Sequence, residues 1–478
     1  MLSSSALYCA IFLYGVAGIY GFINFNSNYY NRQYFSRCIH LNAKSSLKPK
    51  KSSNSIGDNG GVMEIPLKDS RMKFGLGSIA FSLLQLSPEA VGRRKTIFKE
   101  IVKNQIWTLD QIQGIINVNV PVRSTIIKLK DGGLFINNPI APTDEAIDYI
   151  KELESKYGEV KYITLSSLAL EHKGTAGAFA AKFRNAEIYT QPGQYSFPIN
   201  LPTQFFFPLG RNVNTIPEDA SNAPWGEEID HAILGPLRPP GVGGFSETAF
   251  YHKNTKTLLV TDTIIDVTDD PPDIINEDPR ALLYHARDNM FERVQDTKEN
   301  RRKGWRRMVL FGLTFQPAGI DIKDTFETLK VLKDVPDDMR ALGEGAIPFD
   351  GGFYPWEWIE DERPSFKALQ GGLCVAPILQ KLILNREPEK VLKWADTVAD
   401  WSIQRIIPCH FANDIKATSK DFRKAFEFLE EPSFLQNLGL DSLAPSALPA
   451  DGQLLSDASE NLTNQGVLFP EAPLVKRK

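Results

Sequence analysis

Three apolar runs far apart in the chain each end in residues with metal-binding side chains: "VKYITL" runs into "SSLALEHKG", "LLV" into "TDT" and "IIP" into "CHF". Short runs of this kind read as buried strands. Open α/β sheets gather their sites just beyond the carboxyl ends of such strands. The chain is therefore expected to fold so that distant strand ends meet.

The intervening sequence fits that expectation. From Ile106 onward, strand and helix patterns alternate. "VRSTIIKL" and "GGLFINN" read as a hairpin around an Asp-Gly-Gly turn, and "PTDEAIDYIKELESKYG" as a helix opened by Pro142 and Thr143 and closed by Gly158. "GTAGAFAAKF" predicts a helix, "AEIYTQ" a strand, and "TAFYHKNTKTLLVTDTI" a second hairpin around Asn-Thr-Lys. Residues from about 270 to 400 are mainly helical, with helices expected in "RALLYHARDNMFERVQ", "NRRKGWRRMVLFGLTF", "KDTFETLKVLKDV", "SFKALQGGLCVAPILQKLIL" and "PEKVLKWADTVADW". The strand "SIQRIIPCHF" and the amphipathic "SKDFRKAFEFLEE" follow. The tail, residues 432–478, lacks periodicity and reads as a flexible arm.

Composition adds limits. Hydrophobic residues at 42 %, charged residues at 23 % and a net charge of −4 describe an ordinary globular protein and give no global basis for nucleic-acid binding. Cys9, Cys38, Cys374 and Cys409 show no CxxC spacing, which excludes a disulfide scaffold or zinc ribbon. The amino-terminal "ALYCAIFLYGVAGIYGFINF" is uncharged, the basic, Ser-rich stretch after it precedes any acidic residue, and Asp58 is the first. This pattern looks like a signal-peptide-like segment (1–25) joined to a transit peptide and linker (26–75), the bipartite address of a plastid reached by secondary endosymbiosis. The other reading of residues 6–24 is a membrane anchor.

The order hairpin, helix, motif strand and closing His resembles the metallo-β-lactamase-like hydrolase superfamily, over residues 106–430. The resemblance implies an αββα sandwich spanning 76–431, with a helical insertion at about 270–400 before the last core strand. The first motif of that superfamily, His-x-His-x-Asp-His, is matched by Ser167, Ala169, Glu171 and His172. Its next His falls at Gly243 or a neighbour, its bridging Asp at Asp262 and its final His at His410. The departures remove one metal position, and Glu171, His172, Asp262 and His410 make up the other. Two imidazoles and two carboxylates suit one Zn²⁺ or Fe²⁺ with a place left for water; Asp262 and His172 are also the candidate catalytic residues. Without a metal, the same strand-end residues would form a hydrogen-bonded polar cluster. Longer blocks, among them "QPGQYSFPINLP", "EIDHAILGPL" and "SETAFYHKNTKTLLVTDT", are similar to a cyanobacterial and plastid family defined as domain of unknown function 4336.

Other residues carry weaker signals. "GVGG" at 241–244 lacks the helix and Lys-Ser/Thr of a phosphate loop and reads as a turn; "RRKGWRR" reads as a solvated helix face with Trp305 in the core. Cys409 points away from His410's face of the strand and belongs to the core. Ser167 with His172 as base is a metal-free alternative. His285 reads as structural, His231 and His252 as loop or turn residues, and His40 lies in the address. "FYPWEWIEDERP" from Phe353 packs a long connection against the body.

Two functions follow from these expectations. One is a diverged plastid hydrolase with a single metal, acting on a small-molecule ester, thioester, amide or phosphoester. The other is a non-enzymatic binding or assembly factor with a plastid protein partner, its interaction surface on the insertion. Neither requires nucleic acid, and both leave the mature protein soluble or membrane-associated.

Overall fold

In the computed structural model, which describes residues 94–115, 117–194, 203–208, 210–237, 244–343, 351–438 and 442–476, alternating side chains along each strand sort the core into layers. The address, the linker and Gly241 to Gly243 lie outside these residues. One sheet holds, in order, β1 (Ile97–Val102), β2 (Ile106–Ile115), β3 (Val118–Lys128), β4 (Leu134–Asn137), β5 (Val160–Leu165), β6 (Glu187–Thr190) and β7 (Val213–Thr215). Its first four strands pair antiparallel, and β4 to β7 pair parallel. The second sheet uses β8 (Ile229–Leu237), β9 (Phe245–His252) and β10 (Thr257–Val260). A separate ribbon joins β11 (Ile320–Ile322) to β12 (Trp356–Trp358), and β13 (Arg405–Pro408) completes the second sheet in the order β13-β10-β9-β8.

Helices α1 (Asp144–Tyr157), α2 (Leu170–Lys173), α3 (Lys298–Thr314), α4 (Pro388–Ala399) and α5 (Pro449–Asn464) pack around and beyond the sheets. Ile127 and Phe135 of the first sheet share one buried cluster with Phe250, Leu259 and Ile407 of the second, which is the layer between the sheets. Their chain neighbours face outward. Ile126, Leu134 and Ile136 pack with Ala146, Ile150 and Leu153 of α1. Leu258, Val260 and Ile406 join Val391, Trp394 and Val398 of α4 in the largest cluster. Two facing sheets with helices on both outer faces give the expected αββα sandwich.

Local chemistry explains the elements that were expected. The Thr143 hydroxyl accepts from the Ala146 N–H at the start of α1, Asp144 and Glu145 sit at its positive end, and Gly158 closes it at φ 100°. Both expected hairpins form, β3–β4 and β9–β10. Within the insertion, a Cβ on Gly304 would lie 1.8 Å from the Leu282 carbonyl oxygen, so only glycine lets α3 cross the 280–286 helix this closely.

Several expectations are corrected. The helix expected over 280–295 spans Arg280–Ala286 only. That expected over 365–384 is split into Arg363–Ala368 and Pro377–Leu382, with Gly371 and Gly372 at positive φ between them. The tail is not a featureless arm in its described part: α5 buries Leu455 completely in the insertion's core, and buried Asp451 accepts from the Ala318 N–H at 2.9 Å. Its apolar residues are too few for periodicity to show, so tertiary packing decides the element. Strands β1 and β2 were also not legible as strands. The middle of β2 carries Asp110, Gln111 and Gln113, all buried; Asp110 pairs with Arg123, and Gln111 with Thr96 and the Ala141 backbone.

Candidate metal centre

The strand order brings the carboxyl ends of β4, β5, β10 and β13 side by side, and one side chain ties them together. Asn138, in the left-handed region at φ 51°, donates through Nδ2 to Thr261 Oγ1 at 3.0 Å and Cys409 Sγ at 3.1 Å. Its Oδ1 accepts from the Ser166 N–H at 3.0 Å and the Ser166 hydroxyl at 2.9 Å. Asparagine tolerates this backbone region better than most residues.

From these ends the four predicted ligands converge. Glu171 and His172 lie on the single-turn α2 after β5, Asp262 follows β10, and His410 follows β13. One ligand atom from each lies within 4.8 Å of all the others. His172 Nε2 stands 3.2 Å from His410 Nε2, Asp262 Oδ1 is 3.3 Å from the first, and Oδ1 is 3.1 Å from the second. The extra methylene of Glu171 does not carry its carboxylate out of the group.

Hydrogen bonds determine which lone pairs face inward. His410 Nδ1 donates to the Pro121 carbonyl at 2.8 Å, which leaves Nε2 to face the cluster. The Ser167 hydroxyl donates to Asp262 Oδ2 at 3.0 Å and accepts from the Ala169 N–H, so Oδ1 alone turns toward the imidazoles. The Ser167 hydroxyl is thus committed to Asp262, and the Ser167–His172 nucleophile-base pair is not among the described contacts. Glu171 Oε2 and His172 Nδ1 are buried and find no hydrogen-bond partner among the described residues.

The electrostatics follow from this crowding. Burial and then the Asp262 charge push the Glu171 carboxyl above its usual range. Burial alone would raise Asp262, but His172 and then His410 hold it well below the usual carboxylate range. For His172, burial works to lower the imidazolium, and Asp262 and then Glu171 outweigh it.

Glu247 on β9 is the feature that sequence reasoning missed. Fully buried, it accepts from the N–H groups of Thr261, Asp262 and Thr263 at 2.8, 2.7 and 2.9 Å and from the Thr263 hydroxyl at 2.8 Å. Every backbone N–H of the turn at 261–263 that presents Asp262 ends on this one carboxylate. Burial and the nearby Asp262 push its carboxyl up to about 7, against those four donors. An acidic residue at a buried position of an alternating strand was its only sequence signal.

The remaining candidates have structural roles. Cys409 is buried, and burial pushes its thiol well above the usual value. His285 Nε2 donates to the Asn117 carbonyl at 3.0 Å, and burial lowers its imidazolium to about 3. His231 and His252, expected in loops or turns, instead lie on β8 and at the end of β9, both buried. Trp305 is in the core as expected, but the basic helix face is paired as well as solvated: Arg301 with Asp296, Arg302 with Asp270, and Arg306 with Glu362. Phe353, Tyr354, Trp356 and Trp358 are buried, which packs the 353–358 connection into the body. Gly243 lies outside the described residues.

The model of the family described as "Domain of unknown function (DUF4336)" matches residues 103–428. The chain belongs to this family. The DUF4336 match covers every strand of the sandwich after β1 and all four clustered side chains. No curated protein matches the sequence. Among solved structures, a metallo-β-lactamase from Pontibacter korlensis is similar at 15 % identity over 39 % of this chain and 83 % of its own, with a TM-score of 0.27. A mutant flavo di-iron protein from Thermotoga maritima is similar at 10 % identity over 70 % of this chain, with a TM-score of 0.36; this chain spans 61 % of its length. A metal-soaked flavodiiron core from Synechocystis sp. PCC6803 gives 10 % identity, 70 % and 60 % coverage and a TM-score of 0.34.

Proposed function

We propose that this DUF4336 protein is a hydrolase that holds one divalent ion, Zn²⁺ or Fe²⁺, through Glu171, His172, Asp262 and His410. One observation carries the reading. Two imidazole nitrogens and a carboxylate oxygen form a triangle with sides of 3.2, 3.3 and 3.1 Å. That is close to the roughly 3.3 Å edge of a tetrahedron built on bonds of about 2.0–2.1 Å. With His410 Nδ1 protonated toward Pro121, the His410 Nε2 lone pair and Asp262 Oδ1 both face His172 Nε2, so a cation at this point would take the place of the proton that His172 shares with them. Glu171 Oε2, buried and without a hydrogen-bond partner among the described residues, would supply a fourth donor.

When bound, the ion supplies Lewis-acid polarisation of the group under attack. The chain's own residues set the rest. Asp262, held ionised, offsets the ion's charge and is too weak a base to be the main proton acceptor. Asp262 and His410 side chains are 14 % and 11 % exposed and His172 is 1 % exposed, so substrate meets the cluster from the Asp262–His410 side. Ser167 occupies the Asp262 oxygen that a second ion would need, and Ala169 offers no ligand, which supports a single-ion site. Esters, thioesters, amides and phosphoesters are the substrate classes that such a centre activates.

Metal analysis of protein purified without added metal tests the reading. Near one equivalent of Zn or Fe in the wild type is expected, with loss in His172→Ala and His410→Ala, followed by metal-dependent turnover in a screen of the four substrate classes. A wild type that neither retains nor takes up either ion defeats it. The second reading, a binding or assembly factor, is favoured by Phe291, Phe326 and Ile359 on the insertion, exposed at 54, 62 and 64 %. A metal-free, catalytically silent protein would support it. We also propose the plastid address for residues 1–75; a fluorescent fusion of that segment should enter the plastid, and retention in a membrane would instead favour the anchor. Among the described residues no helix is long and apolar enough to cross a membrane.

A further inference from the structure

We infer that Arg123, which touches none of the four ligands, is the positioning residue that aims His410 into the cluster; this rests on the single-ion reading above. Arg123 is 1 % exposed, midway along β3. Its Nε and one terminal nitrogen donate to Asp110 Oδ1 and Oδ2 at 2.7 and 3.0 Å. The remaining donor capacity goes to three backbone carbonyls: Pro408 at 2.5 Å, Ala412 at 3.2 Å and Phe411 at 3.2 Å. Those carbonyls bracket His410. The turn they form is an unusual one, with Phe411 in the left-handed region at φ 56°.

Strand β3 also supplies the Pro121 carbonyl that accepts from His410 Nδ1. Pro121 and Arg123 are two residues apart on one strand. His410 follows the second sheet, yet both its backbone and its ring are fixed from the first sheet, which also presents Glu171 and His172. Three convergent carbonyls and a carboxylate need a planar fork of five donors, which only Arg provides.

A purely structural role accounts poorly for this arrangement. A buried ion pair is costly to desolvate, and apolar residues of similar volume often stabilise equally well or better. What an apolar pair cannot do is dictate the path of residues 408–412. Outer groups that orient a metal-binding His usually change affinity by about 10- to 100-fold when removed.

The test uses the full chain and two readouts: Co²⁺ affinity with its visible spectrum, and the ring-nitrogen shifts of His410 in metal-free, ¹⁵N-histidine-labelled protein, assigned with His410→Gln. Arg123→Lys keeps the charge and loses the fork. It should weaken Co²⁺ binding about 10- to 100-fold, alter the spectrum, and replace the single Nδ1–H form of His410 by a tautomer mixture. Leu153→Ala, a core change in α1 remote from the site, should lower stability and leave both readouts unchanged. If Arg123→Lys does not fold, Asp110→Asn, which unties one side of the fork, should shift both readouts in the same direction. A folded variant with wild-type affinity, spectrum and a single His410 tautomer overturns the inference. A wild type that binds no Co²⁺, Zn²⁺ or Fe²⁺ defeats the single-ion reading instead, and the metal-free ring shifts alone then decide whether Arg123 fixes His410.

Discussion

Glu247 and the four candidate ligands differ in how a side chain becomes legible. Glu171, His172, Asp262 and His410 each follow an apolar run directly, so a local pattern exposes them. Glu247 sits within β9, where an acidic residue reads as solvent-facing, and its role depends on partners 14 to 16 residues away across a turn. Arg123 depends on carbonyls nearly 300 residues away, which no local pattern contains. Glu247→Gln keeps the shape but turns half of the acceptor into a donor. Stranded N–H groups of the Asp262 turn should then cost about 1–3 kcal/mol each, read as a lower urea midpoint, with weaker Zn²⁺ binding in parallel. Protonation gives a second test. In the metal-free site, His172 binds its proton more tightly than an ordinary histidine, and Glu171 more tightly than an ordinary carboxyl. An ion must displace those protons, so affinity rises with pH and the rise continues past 6.5, the ordinary histidine value. Zn²⁺ competition measurements between pH 6 and 8 should show about a tenfold gain per unit for each proton displaced; a flat profile would remove His172 from the ligand set.

Elements were legible where one face is apolar and the ends carry caps. Helix α1 and strand β5 follow the sequence pattern closely, because Thr143 and Gly158 mark the helix ends and β5 is rich in β-branched and aromatic residues. Strand β2 escapes because Gln111 and its buried neighbours face polar partners: Gln111 exchanges hydrogen bonds with the Ala141 backbone at 2.9 and 3.1 Å. Helix α5 escapes for the opposite reason, having little apolar surface of its own. Its one fully buried large residue, Leu455, joins the insertion's core, and Ser459 pairs with buried Arg386. Leu455→Ala should therefore cost about 2–5 kcal/mol, measured by denaturant unfolding, and removal of residues 443–478 should expose the insertion's core and lower solubility. An unchanged unfolding midpoint in Leu455→Ala would show that the carboxyl-terminal segment is not part of the cooperative unit.

At the scale of the whole molecule, the site lies across the seam of the sandwich. Glu171 and His172 follow a strand of the first sheet; Asp262 and His410 follow strands of the second. A mixed α/β domain was legible in the alternating strand and helix patterns, and the αββα arrangement was what the resemblance to the metallo-β-lactamase-like superfamily implied. The arrangement of the insertion was not legible, since contacts such as Gly304 against Leu282 depend on close packing rather than pattern. An ion bound at the seam binds the folded state alone, because unfolding separates ligands drawn from residues 171 to 410. Linkage then sets the size of its effect: stability rises by RT ln(1 + [L]/Kd), about 2.7 kcal/mol at 100 times Kd and about 4.1 kcal/mol at 1,000 times Kd. Titrating metal-free protein with Zn²⁺ should raise the unfolding midpoint without a plateau and in step with the logarithm of free ion. His172→Ala removes a ligand from the first sheet and His410→Ala one from the second, so each alone should flatten that rise. A Zn²⁺-dependent shift that persists undiminished in both variants would place the bound ion elsewhere and leave the seam held by hydrogen bonds alone.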